Sequence, residues 1–389
     1  MSSSTSTSLT LRALLKTAAG RLGLGVPGKS VSGLTAAAKG FFAAAAVARN
    51  RVVLVVPTDA DVEQVSSDAR FFLSALEGVS DGDAAQLVVP FPSHEIDPYR
   101  GLSPHFDIAS ARAQALFALS NGTARLVIAS AASLLPRLSP PARFKESGLT
   151  LRTGDEISPT DLGDRLAAAG YTRQDPTDEP GEFSVRGGVV DFYPAGARQP
   201  IRLEFIGDNI ESLRTYDPGT QRSIEPIDQA HIVPLQELLL VPPEGGNYRD
   251  GAADAADRSA TFIDYLAAAQ PIVLVAEPDE VRATILKQRE QIEASHAEAV
   301  RKNQNVPEPA SLVVAWDDVA PTLEAATGLD NLVARLQEKP RIKEWAGRLP
   351  TGETKFRVTA ADPDAAARPR TTRAGRCTTL RRRGRTRWA

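Results

Sequence analysis

Short apolar runs alternate with helix-length segments along the first third of the chain. RVVLVVP at 51–57, QLVVPF at 86–91 and ARLVIA at 124–129 are rich in Val, Leu and Ile and too short for typical helices. A strand that is apolar at nearly every position is typical of a sheet covered on both faces. Because helix-like spacing separates these runs, the sequence predicts a parallel α/β layer with crossover helices.

The pattern changes after the proline-rich segment PRLSPPARF at 136–144. One capped helix is predicted at 158–170. EFSVRGGVVDFYPAG and PIRLEFIGDNIESLRTYD then alternate apolar and polar residues, with a hairpin turn at 207–209. The residues expected to be buried in this hairpin are Leu203, Phe205, Ile210 and Leu213. An antiparallel sheet with one helix predicts a small, separate α+β domain.

The α/β pattern returns near Leu235. PIVLVA at 271–276 predicts a buried strand, and Pro278 suits the first turn of a long helix that runs to about residue 302. A strand at 311–315 and a helix at 317–326 are expected next. The predicted architecture is therefore an α/β domain interrupted by an inserted α+β domain. The predicted bounds are 1–140 and 236–360 for the two parts of the α/β lobe, 141–235 for the insertion and 361–389 for a basic tail.

Charge is unevenly distributed along the chain. The formal net charge of the 389 residues is −3, yet the last 22, from Arg368, hold nine arginines and no acidic residue. The tail fits a nucleic-acid-binding arm. It also fits a disordered end, expected if the chain is cut short or read out of frame after about residue 364. Both interpretations remain open.

Cysteine usage and the chain start bear on location. Cys377 is the sole cysteine, so no internal disulfide can form, and the polar start MSSSTSTSLT does not resemble a secretory signal. No apolar run is long enough to span a membrane. We expect a cytoplasmic protein without membrane association.

Histidine spacing argues against a metal site. The four histidines are not spaced i, i+3 or i, i+4 and have no cysteine nearby, so no zinc framework is predicted. A nucleophile elbow of the form G-x-S-x-G is absent, and the only cysteine lies in the tail. The sequence therefore predicts no catalytic residue and no metal ligand.

One stretch invites comparison with a phosphate loop, G-x-x-x-x-G-K-[ST]. In SGLTAAAKGFF, at 32–42, Gly33 and Lys39 are in register with that pattern. Ala38 replaces the second glycine, and Gly40 replaces the hydroxyl residue that would ligate magnesium. We interpret Gly33 and Lys39 as a degenerate cofactor site that does not hydrolyse nucleotide, or as a plain connection into a helix.

A second stretch, GLGVPGKS at 23–30, satisfies the letters of the phosphate loop. Its context is unfavourable, because a helix-like segment precedes it where a strand is needed and Pro27 removes one backbone N–H. ATP hydrolysis at either loop remains the alternative hypothesis.

Two arginines stand out in the predicted inserted domain. Arg186 precedes a glycine pair in SVRGG, and Arg173 lies upstream in YTRQD. Planar guanidinium groups pair well with the carboxylates of a protein partner. A surface salt bridge from Arg186 to Glu182 or Asp191 is an equally good interpretation from the residues alone.

Two long segments resemble the bacterial transcription-repair coupling factors. The first is PFPSHEIDPYRGLSPHFDIASARAQAL. The second is GEFSVRGGVVDFYPAGARQPIRLEFIGDNIESLRTYDPGTQRS. The residues that carry the first similarity are Pro98, Tyr99, Ser103, Pro104, His105, Asp107, Ile108 and Arg112. The second carries the family's R-G-x-x-(D/E)-x-(F/Y)-P pattern and is the more specific. The similarity extends over roughly residues 10–340.

The resemblance implies a module similar to the repair protein UvrB: a helicase-like, P-loop NTPase-like domain with an inserted UvrB-interaction-type domain. It implies that GLTAAAKGFF takes the place of the phosphate loop and is degenerate in this family. It implies UvrA as the partner of the inserted domain, with Arg186 and Arg173 at the contact. Whole family members also use ATP, DNA and RNA polymerase through a translocase motor and a polymerase-binding domain, which are not recognisable in these 389 residues.

The expected function is thus a recruitment module for transcription-coupled nucleotide-excision repair, without catalysis of its own. The alternative is an ATP-dependent, UvrB-like helicase or translocase that uses the loop at 33–40 or at 23–30.

Overall fold

The computed structural model describes residues 10–21, 30–239 and 257–331, all of which lie in one unit, residues 1–340. The second loop candidate, apart from Ser30, and the basic tail lie outside the described residues. The helices are α1 (Leu11–Arg21), α2 (Ala36–Val47), α3 (Asp59–Glu77), α4 (Asp81–Leu87), α5 (Phe106–Asn121), α6 (Pro141–Ser147), α7 (Pro159–Ala168), α8 (Phe262–Ala269), α9 (Pro278–Arg301), α10 (Pro309–Leu312) and α11 (Trp316–Ala325).

Within the described residues, the strands form two six-stranded sheets and one two-stranded sheet. They are β1 (Val31–Leu34), β2 (Val52–Val56), β3 (Val88–Phe91), β4 (Leu126–Ser130), β5 (Leu149–Arg152), β6 (Thr172–Arg173), β7 (Glu182–Arg186), β8 (Val189–Phe192), β9 (Ile201–Ile206), β10 (Asn209–Tyr216), β11 (Ser223–Pro226), β12 (Gln229–Ile232), β13 (Ile272–Ala276) and β14 (Thr327–Asn331). The first sheet is parallel throughout, in the order β1-β14-β13-β2-β4-β3. The predicted parallel α/β layer is confirmed.

The central strand β2 shows why a continuous apolar run suits this layer. All five of its residues are buried. Val53 and Val55 face a core built with α5, α8, α9 and α11, whereas Leu54 faces a core built with α2 and α3. Since successive side chains point to opposite faces, helices on both sides require every position to be apolar. A capping box between Thr58 and Asp61 then starts α3 directly after β2.

The second six-stranded sheet has the order β11-β10-β9-β8-β7-β6 and is antiparallel except for the β6–β7 pair. The predicted hairpin joins β9 and β10, with Gly207 at φ +62° in its turn. The four residues expected to be buried in this hairpin are 0–9% exposed. One face packs on α7 through Leu162 and Leu166. The opposite face carries charged side chains and forms the candidate site.

Three local predictions differ from the structure. The predicted strand at 311–315 is wrong: Pro309 begins the short helix α10, and only Val313 makes an isolated bridge, to Pro136. The last strand of the sheet is instead β14, after α11. β1 was not expected to be a strand either. Both short strands, VSGL and TGLDN, lack the apolar run that marks β2, so their sequences gave little signal.

The predicted domain bounds remain predictions. β5 and β12 pair with each other in the two-stranded sheet, at the two ends of the α+β region.

Among the described helices, none combines the length and the apolar content that a membrane span requires.

Candidate functional site

The structure places SGLTAAAKGFF at the junction of β1 and α2. β1 ends at Leu34 and α2 begins at Ala36, so the connection is Thr35 alone. Thr35 is the N-cap of α2, and its Oγ1 accepts a hydrogen bond from the Ala38 N–H at 3.3 Å. A phosphate cradle needs several free backbone N–H groups that converge on the ligand. Here the chain passes from strand to capped helix without such a loop.

Lys39 lies within the first turns of α2 and is only 8% exposed. Its Nζ forms an ion pair with Oε1 of Glu277, the residue directly after β13. The two residues are 238 positions apart in the chain. The ammonium group that a phosphate loop would offer to a nucleotide therefore already has a carboxylate partner.

Gly40 occupies the position where a phosphate loop carries Ser or Thr. It is buried, and a Cβ placed on it would come within 2.8 Å of the Asp68 Cβ and 3.3 Å of the Ala69 nitrogen. The glycine allows α2 to approach α3 closely, so this position serves helix packing. Gly33, by contrast, is exposed and lies in β1 at φ +89°, beside a register irregularity in its pairing with β14.

The charged face of the second sheet is organised around Asp191. This side chain is fully buried and accepts hydrogen bonds from Arg186 Nη2 at 2.7 Å and from Arg202 Nε and Nη2 at 2.7 and 2.8 Å. Arg186 Nη1 also lies 3.2 Å from Asp175 Oδ1. The hydrogen bond to Asp191 raises the pKa of Arg202. The salt bridge between Arg186 and Asp191, expected as an alternative, is formed.

Arg202 is held from a second side by an aromatic ring. Its guanidinium carbon lies 4.5 Å from the centre of the Tyr216 ring, and the Tyr216 hydroxyl donates to the Thr177 carbonyl at 2.8 Å. Burial and then the Asp191 charge raise the pKa of Tyr216, so the phenol stays neutral. The fixed side chains of Asp191 and Arg202 thereby support Arg186, whose side chain remains 43% exposed.

Arg173 does not join this cluster. It lies on β6, where it is paired with Phe183, and Phe183 points to the apolar core side of β7. Arg186 lies on the face of β7 opposite to Phe183 and is paired with Val189 of β8. Arg173 is exposed and forms no ion pair with any residue in the described parts of the chain. The structure thus joins Arg186 to Arg202 rather than to Arg173.

Sequence reasoning missed a buried ionic cluster at the return from the second sheet. Arg112 on α5 has no exposed surface. Its Nε donates to Glu237 Oε2 at 2.5 Å, and its Nη1 donates to the Pro92 carbonyl at 2.6 Å. His94 Nε2 lies 2.9 Å from the other oxygen of Glu237. Burial alone would raise the pKa of Glu237, but Arg112 and His94 outweigh it and lower the pKa to about 2.

The clearest local signal for this cluster was Arg112 itself. An arginine in the otherwise apolar and small-residue face of α5 has to find a buried acceptor. Its partner is 125 positions away, which no local pattern reveals. Within 10–21, 30–239 and 257–331, no group of three or more His, Cys, Asp or Glu side chains is arranged to hold a metal ion.

Comparison with known proteins first identifies the family of the region that contains the second six-stranded sheet. Residues 149–238 match the family described as UvrB interaction domain. This match contains the whole second six-stranded sheet, with its charged face, and the helix α7. The chain therefore carries a UvrB interaction domain next to its parallel α/β layer.

The relatives then identify the kind of protein that this chain resembles. The transcription-repair-coupling factor of Haemophilus influenzae is 36% identical over 155 residues, 40% of this chain and 14% of that protein. The Bacillus subtilis protein of the same name is 36% identical over 138 residues, 36% of this chain and 12% of the relative. The Myxococcus xanthus protein is 31% identical over 229 residues, 58% of this chain and 19% of the relative.

The resemblance to transcription-repair-coupling factors is therefore confirmed for the N-terminal part of this chain. The matched region spans less than a fifth of the length of each of these three relatives.

Proposed function

We propose that this chain is a recruitment module for transcription-coupled nucleotide-excision repair, which binds UvrA through its UvrB interaction domain. The observation that carries the proposal is the Arg186–Asp191–Arg202 cluster on the charged face of that domain. A half-exposed guanidinium that is already held by a fixed carboxylate loses little conformational freedom on binding, which favours it as an interface anchor. DNA and RNA polymerase would be partners only in the setting of a whole coupling factor. Such a module would act in the cytoplasm.

We further propose that the β1–α2 junction is a degenerate, non-hydrolysing copy of a helicase-type nucleotide site. Three features support this: a single-residue connection, a lysine already paired with Glu277, and a glycine committed to packing on α3. Hydrolysis would require a phosphate cradle and a metal-ligating hydroxyl. The connection is too short for such a cradle, and Gly40 stands where that hydroxyl would be.

Titration calorimetry with purified UvrA tests the recruitment proposal. Arg186→Ala is expected to weaken binding by about 2 kcal/mol or more, the loss typical of an interface hot spot. Arg165→Ala is the matched control, because Arg165 is exposed on α7, on the opposite side of the same sheet. Equal affinity of the wild-type chain and the Arg186 variant would remove Arg186 from the contact. Equal losses in both variants would indicate a general charge effect instead.

A further inference from the structure

Glu277 brings an anion to Lys39 from a distant part of the chain. The side chains of the pair are 10% and 12% exposed, so solvent screens the interaction weakly. Lys39 belongs to α2, which precedes the UvrB interaction domain, and Glu277 joins β13 to α9, which follow it. The pair therefore connects the two segments of the parallel layer that the interaction domain separates.

The backbone at Glu277 is unusual. Its φ and ψ are 47° and 67°, in the left-handed region that residues with a Cβ seldom adopt. Glu277 is the N-cap of α9, yet its side chain does not cap that helix. Its N–H donates to the Leu329 carbonyl of β14 at 3.0 Å, which fixes the residue at the carboxyl edge of the sheet. Unfavourable backbone conformations persist where the surroundings hold them, often at sites with a specific role.

A phosphate group that approached Lys39 Nζ would meet this carboxylate. Two anions close together in a weakly screened place repel strongly. The phosphate could compete only by displacing Glu277, which would leave that largely buried carboxylate without its cation. At the start of α2 the Ala38 N–H is already bonded to Thr35, and the connection is too short to form a phosphate loop that would compensate for this loss.

We propose that Glu277 is the residue that excludes phosphate-bearing ligands from Lys39. Its carboxylate serves as an internal anion in the place of a ligand phosphate, and it ties α2 to the β13–α9 junction without any ligand. This inference rests on the proposed non-hydrolysing site and deepens it. The UvrA titration is independent of it, because Glu277 is not part of the UvrB interaction domain.

Glu277→Gln tests the proposal, because it keeps the shape of the side chain and removes its charge. Sodium pyrophosphate is titrated into the full chain by calorimetry without added metal. The Glu277→Gln variant is expected to bind pyrophosphate at least about tenfold more tightly than the wild-type chain. The double variant Lys39→Met/Glu277→Gln is expected to lose that gain. Glu277→Asp, which keeps the charge, is expected to behave like the wild-type chain.

A thermal experiment covers the case in which Glu277→Gln is too unstable for calorimetry. Pyrophosphate should then raise the unfolding midpoint of Glu277→Gln more than that of the wild-type chain, because a ligand that binds the folded state stabilises it. Equal pyrophosphate responses of the two proteins, in either experiment, would overturn the proposal. So would a gain that persists after Lys39 is replaced.

Discussion

Glu237 and Asp191 are both buried carboxylates held by arginine, but their surroundings differ. Glu237 is enclosed by Arg112, which has no exposed surface, and by His94, which is 20% exposed. Asp191 is bound by Arg202, which is 17% exposed, and by Arg186, which is 43% exposed. One cluster is closed on itself, and the other ends in a guanidinium at the surface. The comparison shows that the same pair of residue types can fasten two segments together or hold a surface group ready for a partner.

The largest expected effect is a loss of stability when Arg112, the arginine of the enclosed cluster, is removed. Arg112→Ala leaves Glu237 buried with only His94 as a partner and should reduce the free energy of unfolding by about 3–5 kcal/mol. Urea unfolding followed by circular dichroism measures this change. Lys302→Ala, which removes an exposed pair with Glu298, is the control and should leave the midpoint unchanged. A similar small effect in both variants would mean that the enclosed cluster does not hold the layers together.

The next largest effect is expected on the pH dependence of stability, to which Glu237 contributes. Its folded pKa of about 2 lies below the ordinary glutamate value, so its ionised form stabilises the fold above the unfolded pKa. That stabilisation should be lost as the pH falls from about 4.5 towards 2. Unfolding free energies measured across this window should fall less steeply for Glu237→Gln than for the wild-type chain. Parallel curves for the two proteins would contradict this assignment.

The smallest expected effect is on stability at the open cluster. Arg186→Ala leaves Asp191 with both of its hydrogen bonds from Arg202, so the buried charge stays paired. The free energy of unfolding should change by no more than about 1 kcal/mol, because the lost guanidinium is 43% exposed and Arg202 still pairs with Asp191. The same urea experiment checks this value. A loss as large as that of Arg112→Ala would show that Arg186 is structural, and any binding defect would then need another explanation.

The sequence predicted those parts of the fold whose signal is local. β2, β4 and β13 are apolar runs, and α9 begins at a proline, so their positions were predicted closely. TGLDN is short and half polar, so its sequence does not predict β14. SLVVA predicts a strand wrongly, because periodicity cannot distinguish a short apolar strand from other buried segments.

The candidate sites divide in the same way. Arg186 was found because it stands beside a glycine pair, and its partner Asp191 is only five positions away. The partner of Lys39 was not foreseen, because no local pattern links two residues 238 positions apart. The available clue was an acidic residue directly after the apolar run of β13, since side chains at the carboxyl ends of parallel strands converge on one edge of a sheet.

The pairing of β1 has a consequence for the order in which this chain can assemble. Among the described strands, β1 pairs only with β14, with Val31 opposite Leu329. By contrast, β4 pairs with β2 and β3, which lie close to it in sequence. During synthesis, β1 must wait for almost three hundred further residues before its neighbour emerges from the ribosome. Contacts of such large sequence separation form slowly and leave strand edges open in the meantime. The UvrB interaction domain, with mostly local hairpins, can fold during that wait, so we expect it to be complete before the layer that surrounds it in sequence is closed.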